Sequence, residues 1–120
     1  MNTRKIGTQK EQAAKEYLEG RGMKILEMNY RAGKGEIDII GLHERYLVFV
    51  EVKYRNSQRM GNASEAVTLS KQKQICRVAD HYRYTHHYPE ETCVRYDVVS
   101  IQGERIDWIQ NAFYHTGRYF

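Results

Sequence analysis

Two acids and a lysine on neighbouring hydrophobic segments are where this chain could do chemistry. The segment Gly35-Glu36-Ile37-Asp38-Ile39-Ile40 is followed by Val50-Glu51-Val52-Lys53. Both read as β-strands, in which successive side chains point to opposite faces. Glu36 and Asp38 are therefore expected on one face, with Ile37 and Ile39 on the other. In the second strand Leu47, Phe49, Glu51 and Lys53 share a face, with Val48, Val50 and Val52 behind them. Clustered carboxylates repel, and burying charge is costly unless it is paired or bound to a metal. A buried strand gains no stability from ending in this way. Hard oxygen donors beside a lysine suit Mg²⁺, or Mn²⁺ in its place, and that combination points to phosphodiester chemistry. The plainer reading of Glu51 and Lys53 is a salt bridge at a strand end. For Glu36 it is pairing with Lys34 or another base.

The elements that would position these residues follow from periodicity. Gly7 to Glu19 has helical spacing, with Ala14, Tyr17 and Leu18 on one stripe and Glu11 on the same side. Gly20 and Gly22 stop that helix. Met23 to Tyr30 reads as a strand. A basic, glycine-containing turn, Arg31 to Gly35, leads into the strand Glu36 to Gly41. Leu42 to Arg45 turns the chain, and Tyr46 to Tyr54 is the most hydrophobic strand, apolar on both faces and so expected at the centre of a sheet. Arg55 to Gly61 is predicted to be a mobile polar loop. Ser70 is the expected N-cap of a helix from Lys71 to about Tyr84, with Ile75, Val78, Ala79 and Tyr82 facing the core. Val94 to Ile101 and Arg105 to Gln110 read as two more strands, joined by a turn at Gln102-Gly103-Glu104. The order α-β-β-β-α-β-β predicts an α/β sandwich, a mixed central sheet flanked by helices.

Length and composition set the frame. The 120 residues suit a single domain, 1–120, with room for one true core. The first twenty residues hold no apolar signal-peptide core, and no segment approaches the ~20 apolar residues of a membrane helix, so a cytoplasmic protein without membrane contact is expected. Cys76 and Cys93 have no zinc-site spacing and are expected as free thiols. A net charge of +4 permits nucleic-acid binding without requiring it. Arg31, Lys34, Arg55 and Arg59 flank the two acid-bearing strands in loops, and Lys71 begins a basic helix face with Lys73, Arg77 and Arg83. Such placement suits a polyanion, although a solvated charged face accounts for any one of them. His81, His86 and His87 lack the i, i+4 spacing of a zinc helix. Asp97, next to Arg95 in an apolar strand, reads as a structural acid or a supporting partner of the site.

The meander carrying Asp38 and then Glu51-x-Lys53 resembles the core of the PD-(D/E)xK, or restriction-endonuclease-like, nuclease superfamily. Further segments extend the likeness over nearly the whole chain: Gly7-x-x-x-Glu11-x-x-Ala14-x-x-Tyr17-Leu18, Asn29-Tyr30-Arg31, Gly35-Glu36-Ile37-Asp38, Phe49-Val50-Glu51-Val52-Lys53, Lys71, Arg95-Tyr96-Asp97-Val98-Val99 and Asn111-Ala112-Phe113. Together they resemble the YraN-like family of small, largely uncharacterised bacterial proteins. The resemblance implies that Asp38, Glu51 and the Val52 carbonyl bind the metal. It implies that Lys53 orients or activates the attacking water and offsets charge on the phosphate. Glu11 matches the place where Holliday-junction resolvases of the superfamily carry an additional metal-binding acid, and an exposed helical acid is the competing reading. Ile37 stands where many superfamily members have proline before the first acid. The implied activity is metal-dependent hydrolysis of DNA, branched or structured DNA foremost, with RNA a further substrate class. A homodimer would let two sites engage two strands. The alternative is a catalytically inactive nucleic-acid-binding protein that retains the fold.

Overall fold

A computed structural model describes residues 3–55 and 67–116, with side chains from Gly7 onward. It contains helix α1 (Thr3–Gly20), strands β1 (Lys24–Ala32), β2 (Gly35–His43) and β3 (Tyr46–Arg55), helix α2 (Leu69–Thr85), and strands β4 (Val94–Gln102) and β5 (Arg105–Phe113). The strands form one sheet in the order β1-β2-β3-β4-β5. Only β3 and β4 are parallel, and α2 makes the crossover between them. This is the expected α/β sandwich, in the expected element order.

Two apolar layers flank the sheet. On one side α2 lays Ile75, Cys76, Val78, Ala79 and Tyr82 over Ile37, Ile40, Leu47, Phe49, Tyr96 and Val98. On the other, Ala14 and Leu18 of α1 cover Ile39, Val48, Val50, Val99 and Ile101. Strand β3 feeds both layers through Leu47 to Val50, all buried, which is why its sequence is apolar on both faces and why it lies at the centre.

Local chemistry sets the helix ends. At the end of α1, Gly22 takes φ +96°, a backbone region that glycine enters without steric cost. The amide of Gly22 donates to the Glu19 carbonyl and that of Met23 to the Leu18 carbonyl, while Met23 and Leu18 pack in one layer. The cap of α2 is Thr68, not Ser70. The Thr68 hydroxyl accepts from the Lys71 amide at 3.1 Å, which leaves Ser70 inside the first turn.

Several sequence boundaries shift. Strand β2 runs on to His43, so the turn is Glu44-Arg45 alone, and β5 takes in Asn111 to Phe113 from the tail. Of the predicted polar loop, Arg55 ends β3. The remainder, with Arg59, lies outside the described residues.

The larger correction concerns the faces of β2. Ile37 and Ile39 do not share one: Ile37 packs in the α2 layer and Ile39 in the α1 layer. Their β1 partners behave alike, with Tyr30 on the α2 side and Met28 on the α1 side. Between them stands Asn29 at φ +54°, opposite Asp38 in the register. A left-handed residue breaks the two-residue alternation, and here both strands change face together.

Candidate active site

Pairing of β2 with β3 ends at Ile39↔Val50. Beyond it β2 stays with β1, while β3 continues beside β4 as far as Arg55↔Gln102. The sheet forks there, and Asp38 and Glu51 sit at the fork. The Asp38 Oδ2 accepts from the Val52 amide at 2.8 Å, so a carboxylate takes the place of a strand partner. In an extended strand the amide and carbonyl of one residue face the same neighbour. The Val52 carbonyl is therefore turned to the Asp38 side.

The two carboxyls meet. Burial raises the Asp38 carboxyl from 3.8 to about 8; the charge of Glu51 and a hydrogen bond with it push the same way, Glu11 adds a smaller push, and the Val52 amide opposes them. Without a cation, the Asp38 carboxyl favours its protonated form at neutral pH. Glu51 is only 6% exposed, and its Oε2 lies 3.5 Å from the Lys53 Nζ, whose side chain remains 34% exposed. Lys53 thus keeps one end in the fork and one in solvent. The strand-end salt bridge read from sequence is present, but its acid is buried and already crowded by a second acid.

Glu11 approaches from α1. Its Oε1 accepts from the Asn29 Nδ2 at 2.9 Å, and the same nitrogen donates to the Glu36 Oε2 at 3.0 Å. Glu36 also lies 3.7 Å from Arg31, so its basic partner is Arg31 and not Lys34. Asn29 therefore ties an acid of α1 to an acid of β2, directly across from Asp38. Glu11, Asn29 and Arg31 line a cleft of about 490 Å³ together with Gly7 and Thr8. Among the described residues no group of three or more His, Cys, Asp or Glu side chains closes into a protein metal cage. The fork offers two carboxylates and a backbone carbonyl, with Glu11 within electrostatic reach. That hard-oxygen set fits Mg²⁺, which commonly binds through one or two carboxylates and keeps waters or phosphate oxygens on its remaining positions.

The other predicted residues scatter. Arg31 stands at the cleft and Arg55 at the end of β3. Lys34 is exposed at the β1–β2 turn, and Lys71 lies in the first turn of α2. Arg83 pairs with Asp80 at 3.7 Å. Of the histidines, the His81 Nδ1 lies 2.7 Å from the Tyr30 hydroxyl, and the His86 ring stacks on Tyr82. Both cysteines are free, Cys76 buried and Cys93 exposed.

Asp97 is a structural acid. Fully buried, it accepts from Arg95, from the Trp108 Nε1 at 2.9 Å and from the Asn111 amide at 2.9 Å, and Arg95 reaches the His43 Nδ1 at 3.0 Å. This network fixes the β4–β5 bulge on the α1 side of the sheet.

The chain matches the Uncharacterised protein family UPF0102 over residues 10–101. A UPF0102 protein of Lachnoclostridium phytofermentans is 45% identical over 113 residues, covering 94% of this chain and 96% of the relative. One from Saccharophagus degradans is 42% identical over 107 residues, covering 89% and 91%. One from Fusobacterium nucleatum is 40% identical over 111 residues, covering 92% of each.

Proposed function

The chain belongs to the uncharacterised protein family UPF0102, and from that premise we propose that it is a metal-dependent nuclease acting on DNA, with branched or structured DNA as its favoured substrate. The observation that carries this reading is the pair of desolvated carboxyls, Asp38 and Glu51, facing each other at a strand fork with the Lys53 ammonium 3.5 Å from Glu51. A buried carboxyl crowded by a second acid is a costly arrangement that a divalent cation relieves. Asp38, Glu51 and the Val52 carbonyl would hold that cation. Bound there, Mg²⁺ or Mn²⁺ would supply Lewis acidity and offset charge growing on the phosphate oxygens.

The protein's own groups do the remainder. Lys53 orients the attacking water and draws negative charge off the phosphate. The water oxygen bonds to phosphorus and gives up a proton to solvent, one P–O ester bond breaks, and the departing sugar oxygen takes a proton from solvent. Glu11, held by Asn29, adds negative charge that favours a cation over a lone proton. Arg31 at the cleft and Arg55 beyond the fork meet flanking phosphates. Preference for branched DNA is supported by the likeness of the meander and Glu11 to the resolvases.

The test is cleavage of a panel of end-labelled linear, forked and four-way DNA, with RNA alongside, in Mg²⁺ or Mn²⁺. Wild type should cut, and chelation, Asp38→Asn and Glu51→Gln should each stop it. A wild type that binds these substrates yet cuts none with either metal would make the protein a binding module instead.

A further inference from the structure

On the α2 side of the sheet, the β1–β2 hairpin leans on the helix. Gly35 permits the approach: a Cβ there would lie 2.5 Å from the Val78 Cγ2 and 2.9 Å from the Gln74 Cγ. The Gln74 Nε2 also donates to the Lys34 carbonyl at 3.5 Å. Between hairpin and helix is a cleft of about 360 Å³, whose lining includes Lys34, Gln74, Arg77 and His81. Among the described residues neither Lys34 nor Arg77 makes an ion pair, and the nearby acid of α2, Asp80, is engaged by Arg83 and His115. The His81 Nδ1 is hydrogen-bonded to the Tyr30 hydroxyl at 2.7 Å, which fixes the ring at the edge of the cleft. The cleft thus collects cationic and neutral donors and no carboxylate.

We propose that this cleft is a phosphate-binding notch for the backbone of a nucleic acid that also places a phosphate, some base steps away, at the fork. The ligand class rests on the nuclease reading; the notch itself rests on its donors. Lys34 stands in the hairpin turn, four residues before Asp38 of the following strand. At ~3.3 Å per residue that is ~13 Å, about four base steps of duplex rise at ~3.4 Å each. By alternation Glu51 shares the side of Phe49, which is also the α2 side. A phosphate contact fixes where along a strand the other site acts and carries no sequence information. Arg77 and Lys34 would thereby set the register of cutting.

Binding is measured with the Asp38→Asn protein in chelator, so that no cleavage intervenes. The probes are a labelled DNA duplex, the matching single strand and inorganic phosphate. Arg77→Gln and Lys34→Gln should each weaken DNA binding several-fold, and each should lower the magnitude of the slope of log affinity against log salt by about 1. Arg77→Lys should recover part of the loss, and the His81 ring resonances should shift when DNA is added. Wild-type affinity and slope in both variants would overturn the proposal. So would a His81 shift with inorganic phosphate and none with DNA, which would make the cleft a small-anion site. A protein that never cuts, yet whose DNA binding depends on Arg77, keeps the notch and loses the nuclease. One that cuts, with binding indifferent to Arg77, does the reverse.

Discussion

At the scale of single residues, the raised titration of Asp38 is the property most open to measurement. A folded Asp38 whose carboxyl titrates near 8 binds its proton more tightly than the unfolded chain, where the value is 3.8. Its contribution to stability is therefore fully present below about pH 4 and is lost as pH rises toward 8. Thermal midpoints of the chelated protein should fall across that window and fall less in Asp38→Asn. Added Mg²⁺ should raise the midpoint most at the alkaline end, where the carboxyls are free to bind it. Lys53→Ala should abolish cleavage and leave DNA affinity within a few-fold of wild type, since one lysine is a modest part of a basic surface. A parallel loss of binding would make Lys53 a phosphate anchor instead. Asp38, Glu51 and Lys53 were legible in the sequence because charge at the end of an apolar strand is a local anomaly. Asn29 was legible only as part of a family likeness. It acts by bridging Glu11 and Glu36 from a left-handed backbone, and no local pattern encodes a bond between residues 18 apart.

At the scale of elements, two substitutions separate packing from chemistry. Asn29→Gly keeps the backbone freedom that φ +54° requires and removes the amide that holds Glu11. It should fold with near-normal stability and lose metal-dependent activity. Asn29→Ala should in addition cost about 1–2 kcal/mol for a side chain forced into that region, read by denaturant unfolding. If Asn29→Gly cuts normally, Glu11 returns to being an ordinary helical acid. Thr68→Ala should cost about 1 kcal/mol through the start of α2. The two helices and five strands were readable because their apolar stripes have distinct periods. The face change at Asp38 was not, because the alternation rule assumes an unbroken β backbone and the break begins in the neighbouring strand. The cap at Thr68 instead of Ser70 was not legible for a similar reason: either residue type can cap, and only the backbone turn decides.

At the scale of the whole molecule, charge is the lever. A net +4 spread over exposed loops and helix turns should make DNA affinity fall steeply with salt through counterion release. Reversing Arg55, Arg59 and Lys71 to Glu should weaken binding to every sequence about equally. A flat salt response would assign the positive charge to solubility. The buried Arg95–Asp97 pair stands apart from this surface. Removing Asp97 alone would strand a buried guanidinium and should cost several kcal/mol, roughly 3–5 for such a pair, without touching the fork directly. Overall charge, the order of elements along the chain and the central place of β3 could be expected from composition and pattern. The wiring of Asp97 to Arg95, Trp108 and Asn111 could not, since it depends on how β4 and β5 register.

The bond from the Val52 amide to Asp38 has an evolutionary consequence. Because an oxygen at position 38 completes the hydrogen bonding of the central strand, selection for folding alone would resist its loss. A lineage that abandoned catalysis would still pass Asp38 to its descendants, or exchange it for asparagine. The Lys53 side chain, about a third in solvent and paired with the Glu51 carboxylate rather than with a strand's backbone, has no such protection. Among descendants of this chain, drift at position 53 is the mark by which a retired enzyme would be told from a working one.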